Sequence, residues 1–286
     1  MANRELQRTI ESVATSDGAG VKLRRSLGSE RGLYLDPFLM LDEFSSDDAA
    51  DYIAGFPSHP HRGFETVTYM LDGHMRHEDH LGHRGELTSG GVQWMTAGRG
   101  IIHSEMPQQD RGRMRGFQLW INLPRREKMK PAKYRDIAPH EIPVVELPGG
   151  GRVKVIAGNI TVDGREVGGP IQGLTTDPTY LDVELPRGAS FRHVIASDYT
   201  AFVYAFEGSV EIGAEGRSKT LGAHRAGVTS KGEEILLRGG DQGGRALLIA
   251  GRPLREPIVQ YGPFVMTTRE EVEQAVRDYQ SGTLTS

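Results

Sequence analysis

A succession of short β-type segments, each bounded by glycine, proline or aspartate, constrains the fold of this chain more than any other feature. The segments combine alternating hydrophobicity with β-branched and aromatic residues, a pattern typical of strands. They lie at 21–27, 66–71, 92–96, 117–123, 153–157, 180–185, 202–212, 234–238 and 246–250. The chain has 37 glycines in 286 residues, about twice the average usage of ~7%, so many tight turns are expected. The sequence predicts an all-β fold of the sandwich or barrel type.

Helical periodicity is clear in only one place, residues 268–281. Thr268 is suited to cap a first turn that contains Glu270 and Glu271. One face of the following turns is apolar, and it consists of Val272, Ala275, Val276 and Tyr279. Gly282 then ends the run. The sequence predicts a single amphipathic helix near the C-terminus.

The length of the chain favours two domains, which we predict at 1–140 and 141–286. The segments 66–73 and 201–208 share a strand-then-turn shape, which indicates a weak internal duplication. Between them, 124–148 contains five prolines among mixed charges. This proline-rich stretch is typical of a linker that crosses from one β domain to the next.

The composition excludes several classes of function. No apolar run approaches the ~20 residues of a membrane-spanning helix, and the N-terminus has no apolar signal segment. We therefore expect a cytoplasmic protein with no membrane partner, and we expect a monomer. A formal charge of -4 gives no reason to expect direct nucleic-acid binding. The absence of cysteine leaves imidazole and carboxylate as the protein ligands available to a metal.

Two short motifs about 40 residues apart have the spacing of metal ligands. His59 and His61 lie at i and i+2, a spacing that projects both side chains to one face of a strand. His103 and Glu105 repeat this spacing after a glycine-rich turn. An isolated His-X-His is more often a packed or surface pair, but a second pair makes that interpretation much weaker. The two pairs on facing strands predict a site of three nitrogens and one oxygen.

The residue types do not select one metal. Imidazole suits iron, copper, nickel and zinc, and a carboxylate shifts the preference toward harder ions such as iron and manganese. We expect one divalent ion per chain and favour Fe(II), with Mn, Ni, Cu and Zn left open.

The same motifs belong to four segments that resemble signatures of the pirin family, at 36–44, 59–65, 93–105 and 261–266. The resemblance implies a bicupin, with two tandem jelly-roll cupin domains and the metal in the N-terminal one. It also implies the ligand set, which is His59, His61, His103 and Glu105. The general cupin pattern would offer Glu65 as a ligand, but the pirin pattern takes its carboxylate from Glu105. Glu65 is therefore expected to have a supporting or structural role.

The C-terminal copy offers too few ligands for a second site. It contains only His193 and His224 and has no His-X-His pair. We expect a degenerate domain with a structural role.

A second set of histidines recurs at every third residue, and a second metal cluster is one interpretation of this repeat. On a strand or hairpin this spacing sends neighbouring side chains to opposite faces. We expect solvated positions for the set, which is His74, His77, His80 and His83. His77 is the one that could approach the pocket, because it lies between the two ligand motifs.

Other groups near the motifs have simpler interpretations. Met40, Phe44 and Phe56 flank the ligand segments and are candidates for an apolar pocket wall. Core packing is expected for Trp94, Phe117, Leu119 and Trp120, which lie on predicted strands. A solvated face is expected for the basic stretch of Arg111, Arg113, Arg115, Arg125, Arg126, Lys128 and Lys130.

The resemblance to pirins implies quercetin 2,3-dioxygenase activity on a small hydroxylated aromatic substrate and O2. In that function Glu105 would serve both as a ligand and as the catalytic base that deprotonates the substrate hydroxyl. The resemblance also leaves open a metal-responsive interaction or regulatory protein without turnover, which would require a protein partner. A storage or structural bicupin with incidental metal is a third alternative.

Overall fold

The computed structural model describes residues 2–286, which form 24 strands and one α-helix. The first twelve strands are β1 (Leu6–Glu11), β2 (Val13–Asp17), β3 (Val21–Arg25), β4 (Phe38–Ser46), β5 (Phe56–His61), β6 (Phe64–Asp72), β7 (His74–Asp79), β8 (Arg84–Thr88), β9 (Val92–Thr96), β10 (Ile101–Pro107), β11 (Met114–Asn122) and β12 (Lys133–Ile137). The next twelve are β13 (Val144–Glu146), β14 (Arg152–Ala157), β15 (Asn159–Val162), β16 (Arg165–Gly168), β17 (Thr179–Leu185), β18 (Ser190–Val194), β19 (Thr200–Ile212), β20 (Lys219–Gly222), β21 (Arg225–Thr229), β22 (Glu234–Gly251), β23 (Val259–Tyr261) and β24 (Phe264–Met266). The helix α1 spans Arg269–Gln280, and short 3-10 turns span Ala49–Asp51, Arg125–Glu127 and Pro139–Glu141. The all-β prediction is confirmed.

The chain divides into two compact units. The N-terminal unit consists of Val13–Pro139 and Leu254–Ser286, and the C-terminal unit consists of the chain up to Ser12 and His140–Pro253. The predicted domains, 1–140 and 141–286, differ from these units at both ends. The residues up to Ser12 belong to the C-terminal unit, and Leu254–Ser286 belongs to the N-terminal unit. The reason is strand pairing and packing, since β1 pairs with β21 and Val265 of β24 packs with Phe64 and Trp120.

The N-terminal unit contains two antiparallel sheets. Seven strands follow the order β12-β9-β6-β11-β4-β3-β2, and four follow the order β5-β10-β7-β8. In the larger sheet, β6 and β11 pair Phe117 with Tyr69 and Leu119 with Val67, and all four side chains are buried. The four-stranded sheet contains both ligand motifs, on β5 and β10.

The C-terminal unit is built on a nine-stranded antiparallel sheet. Its path is β1-β21-β19-β22-β17-β14-β13, with β18 added to β22 and β20 added to β19. Its interior is apolar, with members that include Val155, Leu181, Val183, Val203, Leu237 and Leu248. The segments predicted at 234–238 and 246–250 are one strand, β22, because the glycines between them stay within the ladder with β19. The predicted structural role suits a unit whose interior is filled with hydrocarbon.

The stretch predicted as a linker has regular structure. β12 pairs with β9 in the N-terminal unit, and β13 pairs with β14 in the C-terminal unit. The prolines of this stretch lie outside both strands, at Pro124, Pro131, Pro139, Pro143 and Pro148, so they remove no ladder hydrogen bond. The stretch does cross from one unit to the other, between Pro139 and His140, but its two strands belong to the sheets of the units and not to a separate linker.

The predicted C-terminal helix is confirmed in its bounds and in its capping. The Thr268 side chain accepts a hydrogen bond from the Glu271 N–H, and the Glu271 carboxylate accepts one from the Thr268 N–H, which forms a capping box. Val272 and Ala275 are buried, whereas Tyr279 is exposed. Within residues 2–286, no helix is long and apolar enough to cross a bilayer.

Candidate metal centre

Two neighbouring strands place the predicted ligands. β5 and β10 run antiparallel with His59 directly opposite His103 and His61 opposite Ile101. The spacing argument expects the two pairs on facing strands, but the structure places them on adjacent, hydrogen-bonded strands of one sheet. Direct cross-strand partners lie closer together than residues on opposite walls. The pairing therefore brings the imidazoles of both motifs to one spot.

Glycine is required where the two ligand segments meet. The Gly63 N–H donates to the Gly98 carbonyl at 2.8 Å, and both residues have positive φ, 93° and 52°. A Cβ on Gly63 would lie 2.0 Å from the Val265 carbonyl oxygen, and one on Gly98 would lie 2.1 Å from that of Lys130. A side chain at Gly63 would displace the backbone at Val265, and one at Gly98 would displace the backbone at Lys130.

His59, His61 and His103 form a compact cluster. Each offers one ring nitrogen, and the three nitrogens all lie within 4.8 Å of one another. The ring centroids are 4.7 Å apart for His59 and His61, 4.4 Å for His59 and His103, and 4.9 Å for His61 and His103. His61 and His103 are buried, whereas His59 is half-buried. Within residues 2–286 this is the one group of three or more such ligand atoms.

The buried imidazoles of the cluster are neutral. Burial lowers the pKa of His61 and of His103 well below the ordinary value, and the neighbouring imidazoles lower it further. A neutral imidazole presents a lone pair, which is the form that coordinates a metal.

The free nitrogens of the cluster fit a cation. The buried His103 Nε2 and His61 Nδ1 have no hydrogen-bond partner among the described residues. His59 Nδ1 lies 2.8 Å from the Pro57 carbonyl and must carry the proton, which leaves its Nε2 as the lone pair. Buried polar atoms without partners are rare and costly in proteins. A divalent ion held by three neutral imidazoles would satisfy them.

Glu105 lies in the same interior but outside the 4.8 Å cluster. His103 and Glu105 keep an unbroken pairing with β7, and both are buried, whereas β5 has one extra residue opposite them between Phe56 and His59. The Glu105 carboxylate accepts a hydrogen bond from the Thr68 hydroxyl at 2.9 Å, and the Gln118 amide donates to it at 3.1 Å. Its roles as ligand and as base therefore stay predictions.

Glu65 belongs to a different network. Its carboxylate accepts hydrogen bonds from the Thr96 hydroxyl at 2.7 Å and from the Trp94 indole N–H at 3.2 Å. It is buried and is not a member of the histidine cluster. These contacts agree with the structural role expected for it.

The histidines at every third position do not share one environment. His80 is exposed, and the His74 and His83 side chains are 38% and 59% exposed. His77 is buried, and its Nε2 lies 2.7 Å from His103 Nδ1. The expectation of a solvated position is wrong for His77, because it lies on the inward face of β7.

The histidine cluster opens onto a cavity of about 1180 Å³. Met40, Phe44 and Phe56 line it, which confirms the predicted apolar wall. Other lining residues are Thr68, Glu105, Gln118 and Trp120. Trp120 was expected only to pack in the core, yet its ring centroid lies 5.4 Å from that of His61. Gln118 and Trp120 lie at i and i+2 on β11, so their side chains share one face of the strand. This spacing is the sequence signal that places both of them at the cavity.

Two buried cations brace the segment that follows His61. The Lys128 ammonium donates to the carbonyls of Gly63 and Val265, each at 2.8 Å, and to the Asn122 side-chain oxygen at 2.6 Å. Burial lowers the pKa of Lys128 to about 8, so it is still mainly protonated at neutral pH. Arg62 makes a second set of such contacts, to the Arg99 and Leu284 carbonyls and to the Asp278 carboxylate.

These contacts correct the interpretation of the basic stretch. Lys128 is 1% exposed and Arg115 is 5% exposed, so neither lies on a solvated face. The exposed members are Arg111, Arg113, Arg125 and Arg126.

The C-terminal unit has no comparable cluster among the described residues. His193 is buried and stacks on Phe191 with ring centroids 6.0 Å apart. Burial lowers the pKa of His193 to about 4. His224 lies in the turn between β20 and β21 with φ 60°. The two histidines are therefore separate structural residues.

Comparison with known proteins gives consistent matches along the chain. Residues 20–121 match the Pirin family model, and residues 180–285 match that of the Pirin C-terminal cupin domain. A Pseudomonas aeruginosa protein, named provisionally as a quercetin 2,3-dioxygenase, is 53% identical over 269 residues, which is 94% of each chain. A pirin-like protein of Caulobacter vibrioides is 48% identical over 282 residues, which is 99% of each chain.

A solved structure matches equally completely. The crystal structure of a quercetin 2,3-dioxygenase from Acinetobacter baumannii has a TM-score of 0.88 and 31% identity, and the match covers 100% of this chain and 99% of that one. The predicted architecture of two cupin domains with a short C-terminal helix is thereby confirmed.

Proposed function

Because the chain belongs to the pirin family, we propose that it is a metal-dependent dioxygenase that cleaves flavonols such as quercetin at the 2,3 bond with O2. Its relatives support an oxidoreductase of the dioxygenase type. The observation that carries the proposal is the cluster of His59, His61 and His103, in which the buried His61 Nδ1 and His103 Nε2 have no hydrogen-bond partner, beside an open cavity.

We assign the ion to His59, His61, His103 and Glu105. Three imidazoles and one carboxylate suit a divalent first-row metal, and Fe(II) is our first choice, with Mn, Ni, Cu and Zn as alternatives. When bound, such an ion supplies Lewis acidity at the cavity wall. Glu105 would have to turn toward the histidines to join them, since its carboxylate is held by Thr68 and Gln118.

Glu105 has a second task in this proposal, as the base that takes the proton of the flavonol 3-hydroxyl. A general base must lie within hydrogen-bond reach of the proton that it removes, and the Glu105 carboxylate lines the cavity. The Thr68 hydroxyl and the Gln118 amide both donate to this carboxylate. The carboxylate is therefore held in one orientation before the substrate arrives.

The cavity walls suit an aromatic substrate. Met40, Phe44, Phe56 and Trp120 provide apolar surface beside the polar group of Thr68, Gln118 and Glu105. Binding sites for small molecules commonly combine apolar walls with a few placed polar groups. A flavonol has flat apolar rings, which can pack on the apolar wall, and several hydroxyls, which can hydrogen-bond to the polar side chains.

The test begins with elemental analysis of protein purified without a histidine tag. The metal-loaded protein is then incubated with quercetin with and without oxygen, and the flavonol absorbance band is followed. We expect the band to decline only with oxygen, and we expect His61→Ala to lose both the metal and the decline. His193→Ala, a buried histidine in the other unit, is the matched control and should retain both. A band that is stable in oxygen with metal-loaded protein would contradict the proposal.

A further inference from the structure

The strand β7 directs one histidine toward the cluster. Burial alternates along β7, so that Met75, His77 and Asp79 are buried while the residues between them are half-buried. In the ladder with β10, His77 lies opposite Glu105 and Asp79 lies opposite His103. His77 is therefore a diagonal neighbour of His103 on the inward face of the sheet, which long side chains can span.

The two imidazoles are joined by a hydrogen bond, with His77 Nε2 and His103 Nδ1 2.7 Å apart. Their ring centroids are 4.8 Å apart. Tyr134 packs against His77 with a centroid distance of 5.0 Å. The His77 ring, which is 2% exposed, is thus fixed from two directions.

A hydrogen bond between these two nitrogens needs one proton, which either ring can carry. If His103 Nδ1 carries the proton, it donates to His77 Nε2 and the His103 Nε2 lone pair faces the cluster. If His77 Nε2 carries the proton instead, the proton of His103 moves to Nε2, where it blocks coordination. The other nitrogen of each ring, His103 Nε2 and His77 Nδ1, has no partner among residues 2–286, which is the pattern expected when these two rings satisfy each other and nothing else.

We propose that His77 is a positioning residue, which accepts the Nδ1 hydrogen of His103 and so fixes the tautomer and ring orientation that His103 needs to bind the metal. This proposal rests on the ligand assignment of the proposed function. Metal-binding histidines usually donate their other ring N–H to a carboxylate, a carbonyl or water. Here the acceptor is a neutral imidazole, which holds the ring without adding negative charge beside the ion.

The test compares variants that keep or remove the acceptor. His77→Gln can place its side-chain oxygen near the position of Nε2, whereas His77→Asn is too short and His77→Phe fills the space without an acceptor. His74→Phe, on the outward face of the same strand, is the matched control. The dissociation constants of Co(II) and Fe(II) are measured by chelator competition, and the visible absorption spectrum of the Co(II) protein reports the ligand geometry.

We expect His77→Phe and His77→Asn to weaken metal binding by about 10- to 100-fold and to alter the Co(II) spectrum. His77→Gln should stay within about threefold of the parent, because it restores the acceptor. Since Gln and Asn are both polar, their comparison stands even if the Phe variant does not fold. Equal binding by all variants would overturn the role of His77 and leave the metal centre intact. A parent protein that binds neither ion would overturn the proposed function as well.

Discussion

The guanidinium of Arg62 donates a hydrogen bond to the carboxylate of Asp278, with Nη1 and Oδ2 2.6 Å apart. Arg62 directly follows a histidine of the cluster, and Asp278 lies on α1. The Arg62 side chain is 5% exposed, and its other nitrogens donate to the Arg99 and Leu284 carbonyls. One side chain thus joins both ligand segments to the C-terminal part of the N-terminal unit.

Arg62→Met should destabilise the N-terminal unit by about 2–4 kcal/mol, because the half-buried Asp278 carboxylate and two carbonyls lose the donor that the buried guanidinium supplies. Both tryptophans, Trp94 and Trp120, belong to this unit, so urea denaturation followed by tryptophan fluorescence reports it selectively. Arg269→Met removes an exposed ion pair with Glu273 and should change stability by less than about 0.5 kcal/mol. Equal effects of the two substitutions would contradict the bracing role of Arg62.

Glu105→Gln should lower the turnover of quercetin by about 10²- to 10⁴-fold, the usual contribution of a general base. Its folding should be retained, since the amide oxygen can still accept from Thr68. Glu65→Gln is the matched control, because Glu65 is also a buried carboxylate with two donors. Metal content and turnover are measured for both variants. Loss of the metal in Glu65→Gln together with its retention in Glu105→Gln would reverse the assignment.

Lys128→Met should lower the unfolding free energy of the N-terminal unit by about 2–4 kcal/mol. The methionine has a similar volume, but it leaves the Gly63, Val265 and Asn122 oxygens without the donor that the ammonium supplies. Tryptophan fluorescence in urea measures the change. Arg126→Met, an exposed neighbour with its side chain 74% exposed, should be nearly neutral. An unchanged unfolding free energy in Lys128→Met would show that water replaces the ammonium at no cost.

His193 should make the C-terminal unit less stable as the pH falls. Its folded pKa of about 4 lies below the ordinary value of 6.5, so the unfolded chain binds the proton first, and stability is present above pH 6.5 and lost as the pH falls toward 4. Between pH 7 and pH 5 the loss from this group is about 2 kcal/mol.

His193→Leu should remove that dependence, because leucine does not titrate. Amide hydrogen exchange of β18 and β22 at pH 5 and pH 7 measures the local stability of the parent and of the variant. The same pH slope in both proteins would show that His193 does not carry the effect.

Local patterns in the sequence were sufficient for several elements. The C-terminal helix follows from its capping residues and its apolar spacing, which act within a few residues of one another. The alternation in 92–96 and 202–212 marks strands for the same reason. His59, His61 and His103 could be selected because an i, i+2 pair on a strand faces one way whatever that strand pairs with.

The remaining features depend on long-range pairing, which local patterns do not encode. β4 was not predicted as a strand, because Phe38–Phe44 is buried on both faces and shows no alternation. The sequence indicates His77 as the member of its set that could approach the pocket, but its contact with His103 depends on the register between β7 and β10, which the three-residue spacing does not encode. The Glu105 carboxylate is held by Thr68 of β6 and Gln118 of β11, and the spacing of His103 and Glu105 does not encode these contacts with the other sheet.

The first strand belongs to the C-terminal unit, and Leu254–Ser286 belongs to the N-terminal unit. The order of synthesis therefore limits the order in which the two units can be completed. Leu6–Glu11 is made before its partner β21, which follows more than 200 residues later. The N-terminal unit lacks Val265, Asp278 and Leu284 until the whole C-terminal unit has been made. The N-terminal unit therefore cannot be completed first, and two fragments divided at residue 140 would each lack a piece of their own core.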